Sequence, residues 1–232
     1  MNLNKPTKQQ IAEAILELYK ASRKFNIIAG NKSLDKKRLH NQINLVKSEF
    51  NETLNAVIDS DPIEIVDGCC DLLVTLCEAE MIEAGETFLL DNAPIYLNEE
   101  DLTVEDLITN KIKLELEENN VIDALGYVED LCYAINAPMI YNMQQVAASN
   151  FSKFMKKEDL DNTEHTAEDL CKMISDKGRY PEVYYEIVNV DDEDWIVLKS
   201  DYDAEEDKHF ECGKVVKNPL TFFEPEIKVY DI

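Results

Sequence analysis

The stretch Ile63-Glu64-Ile65-Val66-Asp67-Gly68-Cys69-Cys70-Asp71-Leu72-Leu73-Val74-Thr75-Leu76-Cys77-Glu78-Ala79 decides how this chain is read. Its apolar positions cover most of a helix surface, as in a helix packed on nearly every side. The charged exceptions are Glu64, Asp67, Asp71 and Glu78, and at helical pitch all four fall within about 60° of one another. One narrow acidic stripe therefore runs along a helix otherwise dressed for burial. Ionised carboxylates beside an apolar core are costly unless something compensates them. Two readings stand: the stripe is the solvated side of the helix, or it faces a cation. An exposed face normally mixes Lys or Arg with its acids, and this stripe contains no base.

Working outward, Ser60-Asp61-Pro62 breaks the chain and restarts it, because proline suits a first helical turn. The restarted helix is expected over about 62–84, ending at Gly85. Before the break, Leu39, Ile43, Val46, Phe50, Leu54 and Val57 trace one face of a helix from about Asp35 to Ile58. Thr7 is a plausible cap for a first helix over residues 7–29, which Gly30 and Asn31 end. Residues 86–104 lack a period and read as a connection or insertion. Helical patterns resume over about 105–135, again from 139 to about 155, and briefly over 164–177. After Pro181 the texture becomes β-rich, at Val183–Val188 and Trp195–Leu198 around an acidic turn, with a third strand near 209–216. The expected architecture is mainly α: a helical core over 1–155, carrying an insertion at about 86–135. Residues 156–232 add a helix and a small strand-containing appendage that contributes to the site.

Composition narrows the function. The chain has 232 residues, with 23 basic against 48 acidic side chains and a net charge of −25. Duplex nucleic acid and anionic membranes both need a basic footprint, so neither is an expected partner. Only 6 glycines and 7 prolines favour long helices. No run of about 20 uncharged apolar residues is present to span a bilayer. The six cysteines form no C-x-x-C pair and read as small hydrophobes in a reducing, cytoplasmic setting.

The second helix offers partners for the acidic stripe. Glu49 and Glu52 are three residues apart and lie close on one face. If the two helices form an antiparallel hairpin, this pair can approach Glu64 and Asp67. Converging carboxylates repel unless a hard cation joins them, and oxygen-only ligands suit Mg²⁺, with Mn²⁺ as the alternative. Glu115 and Glu118 repeat the E-x-x-E spacing without a following E-x-x-D and read as a solvated face.

Glu49-x-x-Glu52, eleven intervening residues, then Glu64-x-x-Asp67 resembles the metal-binding signature of the all-α nucleoside triphosphate pyrophosphohydrolases. That superfamily includes MazG-like enzymes, phosphoribosyl-ATP pyrophosphohydrolases and dimeric dUTPases. The segment 64–73, EIVDGCCDLL, is similar to the E-x-x-D-x-x-x-D helix of phage-encoded members. Ser149-Asn150-Phe151-Ser152-Lys153 resembles their S-N-M-S-K segment. Gly213-Lys214-Val215-Val216-Lys217, followed by Phe223-Glu224-Pro225-Glu226-Ile227, resembles their closing tail.

The resemblance implies a MazG-like helical bundle, a phage-type origin and a homodimer or higher homo-oligomer. It implies hydrolysis of a (deoxy)nucleoside triphosphate to monophosphate and pyrophosphate, serving nucleotide pool control, with dUTP or dCTP as substrate by analogy. On that reading Glu49, Glu52, Glu64 and Asp67 hold the metal, and Asp71 is auxiliary. Glu49 or Glu52 takes the proton of the attacking water, while Asn150, Lys153, Lys214 and Lys217 meet phosphate. The sequence departs from the pattern at Ser48, where the first motif commonly carries another glutamate. Two other classes stay open: an acidic interaction protein imitating nucleic-acid charge, and a nucleotide-binding regulator without catalysis.

Overall fold

Short polar caps set the ends of the first three helices. Thr7 and Gln10 exchange side chain-to-backbone hydrogen bonds at 2.9 and 3.2 Å, a reciprocal cap that opens α1 (Lys8–Ile28). The Asp35 carboxylate accepts from the Arg38 N–H and opens α2 (Lys36–Asp59). Ser60 ends α2 in the left-handed region, with φ +57°, and its N–H returns to the carbonyls of Ala56 and Val57. One residue later Asp61 accepts from the N–H groups of Ile63 and Glu64, and Pro62 begins α3 (Pro62–Ala84). A link this short folds α3 back along α2. The computed structural model describes residues 5–85 and 102–230, without the side chains of Glu211 and Cys212. The expected connection at 86–104 lies mostly outside the described residues.

The chain divides into two compact units. The first comprises Met1–Arg23, Ser33–Ala147 and Pro225–Ile232. Its core gathers Ile11, Ile15 and Tyr19 of α1, Val46 and Phe50 of α2, and Leu72, Leu73 and Leu76 of α3. A helical stretch follows the undescribed residues: α4 (Val104–Asp106), a π-helical segment Leu107–Ile112, and α5 (Lys113–Glu117). Then come α6 (Val121–Ala134) and α7 (Met139–Phe151). Leu107, Ile108, Ile112, Leu125 and Leu131 are wholly buried. The described part of the expected 86–135 insertion thus contributes side chains to the helical core. Cys69 of α3 and Cys132 of α6 meet at 3.4 Å as free thiols.

The second unit comprises Lys24–Lys32 and Ala148–Glu224. It holds β1 (Phe154–Lys156), α8 (Lys157–Asp161), α9 (Ala167–Ser175), β2 (Val183–Val190), β3 (Glu193–Asp203) and β4 (Lys208–Val215). The four strands form one antiparallel sheet with β3 in its middle. β2 pairs along one edge of β3, from Val183↔Ser200 to Val190↔Glu193. β1 and β4 take successive stretches of the other edge, at Phe154↔Val197 and Lys199↔Val215. Asp191 and Asp192 both have positive φ, as a two-residue hairpin turn requires. Ile196 and Leu198 bury against Leu170 and Ile174 of α9, while Val197 buries with Phe154 and Ile28 on the opposite face.

These observations correct the expected fold class. The chain is mostly helical, but it is not a helical bundle with a small appendage. Its sheet is covered on both faces and owns two apolar clusters, which makes the second unit a core in its own right. The division also falls elsewhere than at 155/156, because residues 24–32 join the sheet unit and 225–232 return to the helical one. No helix among the described residues is long and apolar enough to cross a membrane.

Candidate functional site

The position of the acidic residues follows from one close helix crossing. A Cβ built on Gly68 would lie 2.4 Å from Thr53 Oγ1 and 3.2 Å from Thr53 Cα, so the α2 and α3 backbones almost touch there. Thr53 is fully buried and turns its hydroxyl onto the Glu49 carbonyl at 2.8 Å. Farther from the hairpin link, Gln42 Nε2 donates to the Thr75 carbonyl at 2.9 Å. These contacts fix the antiparallel register. Glu52, beside Thr53, stands level with Asp67, beside Gly68; Glu49 stands level with Asp71, one turn on. Glu64 lies a turn nearer the link. Glu49, Asp67 and Asp71 are half-buried, whereas Glu52 and Glu64 are exposed.

Asp67 and Asp71 also act on a buried neighbour of their own helix. Burial pushes the Cys70 thiol well above its ordinary range, and Cys69, Asp71 and Asp67 push it further. Asp67 and Asp71 therefore lie near the same buried sulfur. The donor chemistry fits a hard cation, since every candidate ligand is a carboxylate on one of two facing helices. The side chains do not close on a common point: among the described residues no three His, Cys, Asp or Glu side chains stand together as metal ligands. The hairpin lines the carboxylates up along a seam, and gathering them around an ion requires rotamer changes.

The expected phosphate-binding residues all belong to the second unit. Asn150 and Lys153 come together, with Lys153 Nζ donating to Asn150 Oδ1 at 2.7 Å. Lys214 lies 3.5 Å from Asp203 and 3.8 Å from Glu206, and Lys217 lies 2.6 Å from Glu224. The last two lysines are thus paired with acids of their own unit. Ser149 and Ser152 have a structural task. Ser149 Oγ donates to the Phe223 carbonyl at 2.8 Å, and Ser152 Oγ accepts from the Phe223 N–H at 3.2 Å. These bonds clip the closing tail onto the 149–153 segment.

Sequence reasoning missed a buried charge cluster on the helical unit. Glu78 is wholly buried, and its Oε1 accepts from Arg38 at 2.5 Å and from Arg23 at 3.3 Å. Burial pushes the Glu78 carboxyl up, opposed by the Arg38 hydrogen bond and both guanidinium charges. Glu80 and Glu129 are buried nearby on α3 and α6. Tyr19 donates to Glu80, and burial raises its hydroxyl far above the usual range, with Cys77, Glu80 and Glu129 adding to the shift. The sequence marks the members but not their pairing: Glu78 closes the acidic stripe, and the chain has only three arginines, Arg23, Arg38 and Arg179.

The helical unit also has an apolar groove of about 570 Å³ between α1 and α7, floored by Ala14, Leu18, Ala21, Ile140, Met143 and Ala147. Its volume suits a small ligand, but none of the carboxylates or lysines named above lines it. Comparison of the chain with protein-family models, with curated proteins and with solved structures finds no match.

Proposed function

We propose that the chain is a metal-dependent nucleoside triphosphate pyrophosphohydrolase, related to the phage-type enzymes that its motifs resemble. The observation that carries this reading is the α2/α3 register, which sets Glu49 and Glu52 opposite Asp71 and Asp67. The three motif segments, in their expected order along the chain, support it. The water oxygen attacks the α-phosphorus, and the bond from that phosphorus to the α–β bridging oxygen breaks. The electron pair leaves with pyrophosphate, and the water proton passes to the Glu49 or Glu52 carboxylate. Glu49, Glu52, Glu64 and Asp67 would hold Mg²⁺ or Mn²⁺, with Asp71 auxiliary. The ion supplies charge neutralisation for the triphosphate and a lower pKa for the attacking water.

For the phosphates the motifs name Asn150, Lys153, Lys214 and Lys217. Lys214 and Lys217 would first have to give up Asp203, Glu206 and Glu224. The proposed setting is the cytoplasm, with the enzyme as a homo-oligomer that trims a deoxynucleotide pool. The second reading is an acidic protein that occupies a basic partner, and the net charge of −25 favours it.

Pyrophosphate release from eight ribo- and deoxynucleoside triphosphates, with Mg²⁺ or EDTA, separates the two. Release from one or two nucleotides, abolished by EDTA and by Glu49→Ala/Glu52→Ala, is the expected result. A folded protein that releases nothing from any of the eight overturns the reading.

A further inference from the structure

The strand edges of the second unit are not protected alike. β3 is paired on both sides, so the outer edges belong to β1, β4 and β2. β1 spans only three residues, and β4 carries Lys208 and Lys214, two ordinary ways of blunting an edge. β2 has neither. It runs eight residues, in unbroken register with β3, and contains no proline, lysine or bulge. Its one charged side chain, Glu186, accepts from Lys199 Nζ at 2.7 Å. Ile187, near the centre of the strand, is 51% exposed.

The turn fixes which backbone groups face outward. A two-residue turn with both φ positive closes on a hydrogen-bonded pair, here Val190 and Glu193. Hydrogen-bonded and open pairs then alternate along the ladder. Val188, Glu186 and Tyr184 therefore bond to β3, while Val183, Tyr185, Ile187 and Asn189 turn their N–H and C=O groups away from it. Among the described residues no other backbone takes those groups.

Charge limits what can pair with this edge. Two copies of a chain with net charge −25 repel, and they approach closely only along a stretch with little charge of its own. β2 is such a stretch, with one charged residue in eight where the whole chain has 31%. It is also self-complementary. In antiparallel pairing with a second β2, outward residues must meet outward residues. A two-fold centred on Glu186 sets two like charges opposite each other, which is destabilising. Centred on Ile187, it sets Ile187 against Ile187, Tyr185 against Asn189 and Glu186 against Val188, with no like charges opposed over 184–190. Any other outward residue as centre pairs a shorter stretch. The Ile187 register also covers the exposed Ile187 side chain.

We propose that β2 pairs antiparallel with β2 of a second copy about a two-fold at Ile187, joining two sheets into one. The pairing uses only the sheet and is independent of the pyrophosphohydrolase reading. One strand pair is a small interface, so the dimer is concentration-dependent. The acidic turn at 191–192 of each copy falls beside Glu182 of the other, and salt should strengthen the pairing by screening that repulsion.

Sedimentation of the full chain from micromolar to millimolar concentration should show monomer and dimer in exchange, shifted toward dimer by salt. Ile187→Lys sets like charges opposite each other at an exposed position. It should raise the dimer dissociation constant about tenfold and leave Trp195 fluorescence and Tm unchanged. Amide exchange gives a pattern particular to this pairing: Tyr185, Ile187 and Asn189 should slow as concentration rises, while Tyr184, Glu186 and Val188 are slow throughout. Oxidation of Ile187→Cys should link two copies, because a hydrogen-bonded pair sets its Cα atoms about 5.5 Å apart. Asn189→Cys, which faces Tyr185 of the second copy, should link none, with wild type as the control for the native cysteines. A chain that stays monomeric at millimolar concentration refutes the pairing and leaves β2 to an extended segment of another protein. A dimer that Ile187→Lys does not weaken, or that slows exchange elsewhere than at these three amides, refutes it as well and puts the contact between copies on another surface.

Discussion

At position 68, a methyl group would stand 2.4 Å from one Thr53 atom and 3.1 Å from another. Neither atom is the far end of a flexible chain, since Thr53 is fully buried and hydrogen-bonded to its own helix. Gly68→Ala should therefore push α2 and α3 apart and cost about 1–3 kcal/mol, the usual penalty for overpacking. Urea unfolding checks this, and Thr53→Ala in the same chain should recover part of the loss because it removes the nearer atom. An unchanged midpoint in Gly68→Ala would mean that the helices do not cross there. The same substitution should also impair any metal- or nucleotide-dependent signal, because the register of Glu49, Glu52, Asp67 and Asp71 depends on that crossing.

At the scale of elements, the hairpin α2–α3 carries the functional hypothesis. Like-charged carboxylates facing across it oppose folding mildly when no cation is bound, by a few tenths of a kcal/mol per pair. Wild type should gain stability from Mg²⁺, by about 2.7 kcal/mol at a hundredfold excess over Kd. The Glu49→Gln/Glu52→Gln variant should gain almost none. Thermal melts in EDTA and in Mg²⁺ measure both effects, and equal Mg²⁺ shifts in the two proteins would remove these glutamates from the metal site. Sequence made this element legible early. The apolar spacing, the Ser60-Asp61-Pro62 break and the acidic stripe are all local signals, and the helices they predicted lie at 36–59 and 62–84. The pairing of Glu78 with arginines 40 and 55 residues away along the chain was not legible, because periodicity names a face and not its partner.

At the scale of the molecule, the sheet unit has a pH response of its own. Asp203 is wholly buried, and the Arg179 guanidinium holds its carboxyl well below the usual range, with bonds of 2.9 to 3.2 Å. The folded sheet unit thus binds this proton less readily than the unfolded chain does. Its contribution is present above the ordinary carboxylate pKa of about 4 and is lost as pH falls toward the depressed value. Trp195, the only tryptophan, lies on β3 and reports this unit, whereas far-UV ellipticity is dominated by the helices. Acid titration should change Trp195 fluorescence below about pH 4, and Asp203→Asn should flatten that dependence; identical titration curves for the two proteins would refute the assignment.

By itself the sequence determined the capped and periodic elements: the first three helices, the strands at 183–188 and 195–198, and an acidic turn between them. Each is written in neighbouring residues, where spacing, caps and turn chemistry act. Only the tertiary structure decided that the strands build a second core, that residues 102–135 lie inside the first, and that Lys214 and Lys217 already have acidic partners. Those outcomes depend on which apolar faces find one another and which charges meet across long stretches of chain. Volume and desolvation set that result, and neither is local to any stretch of sequence.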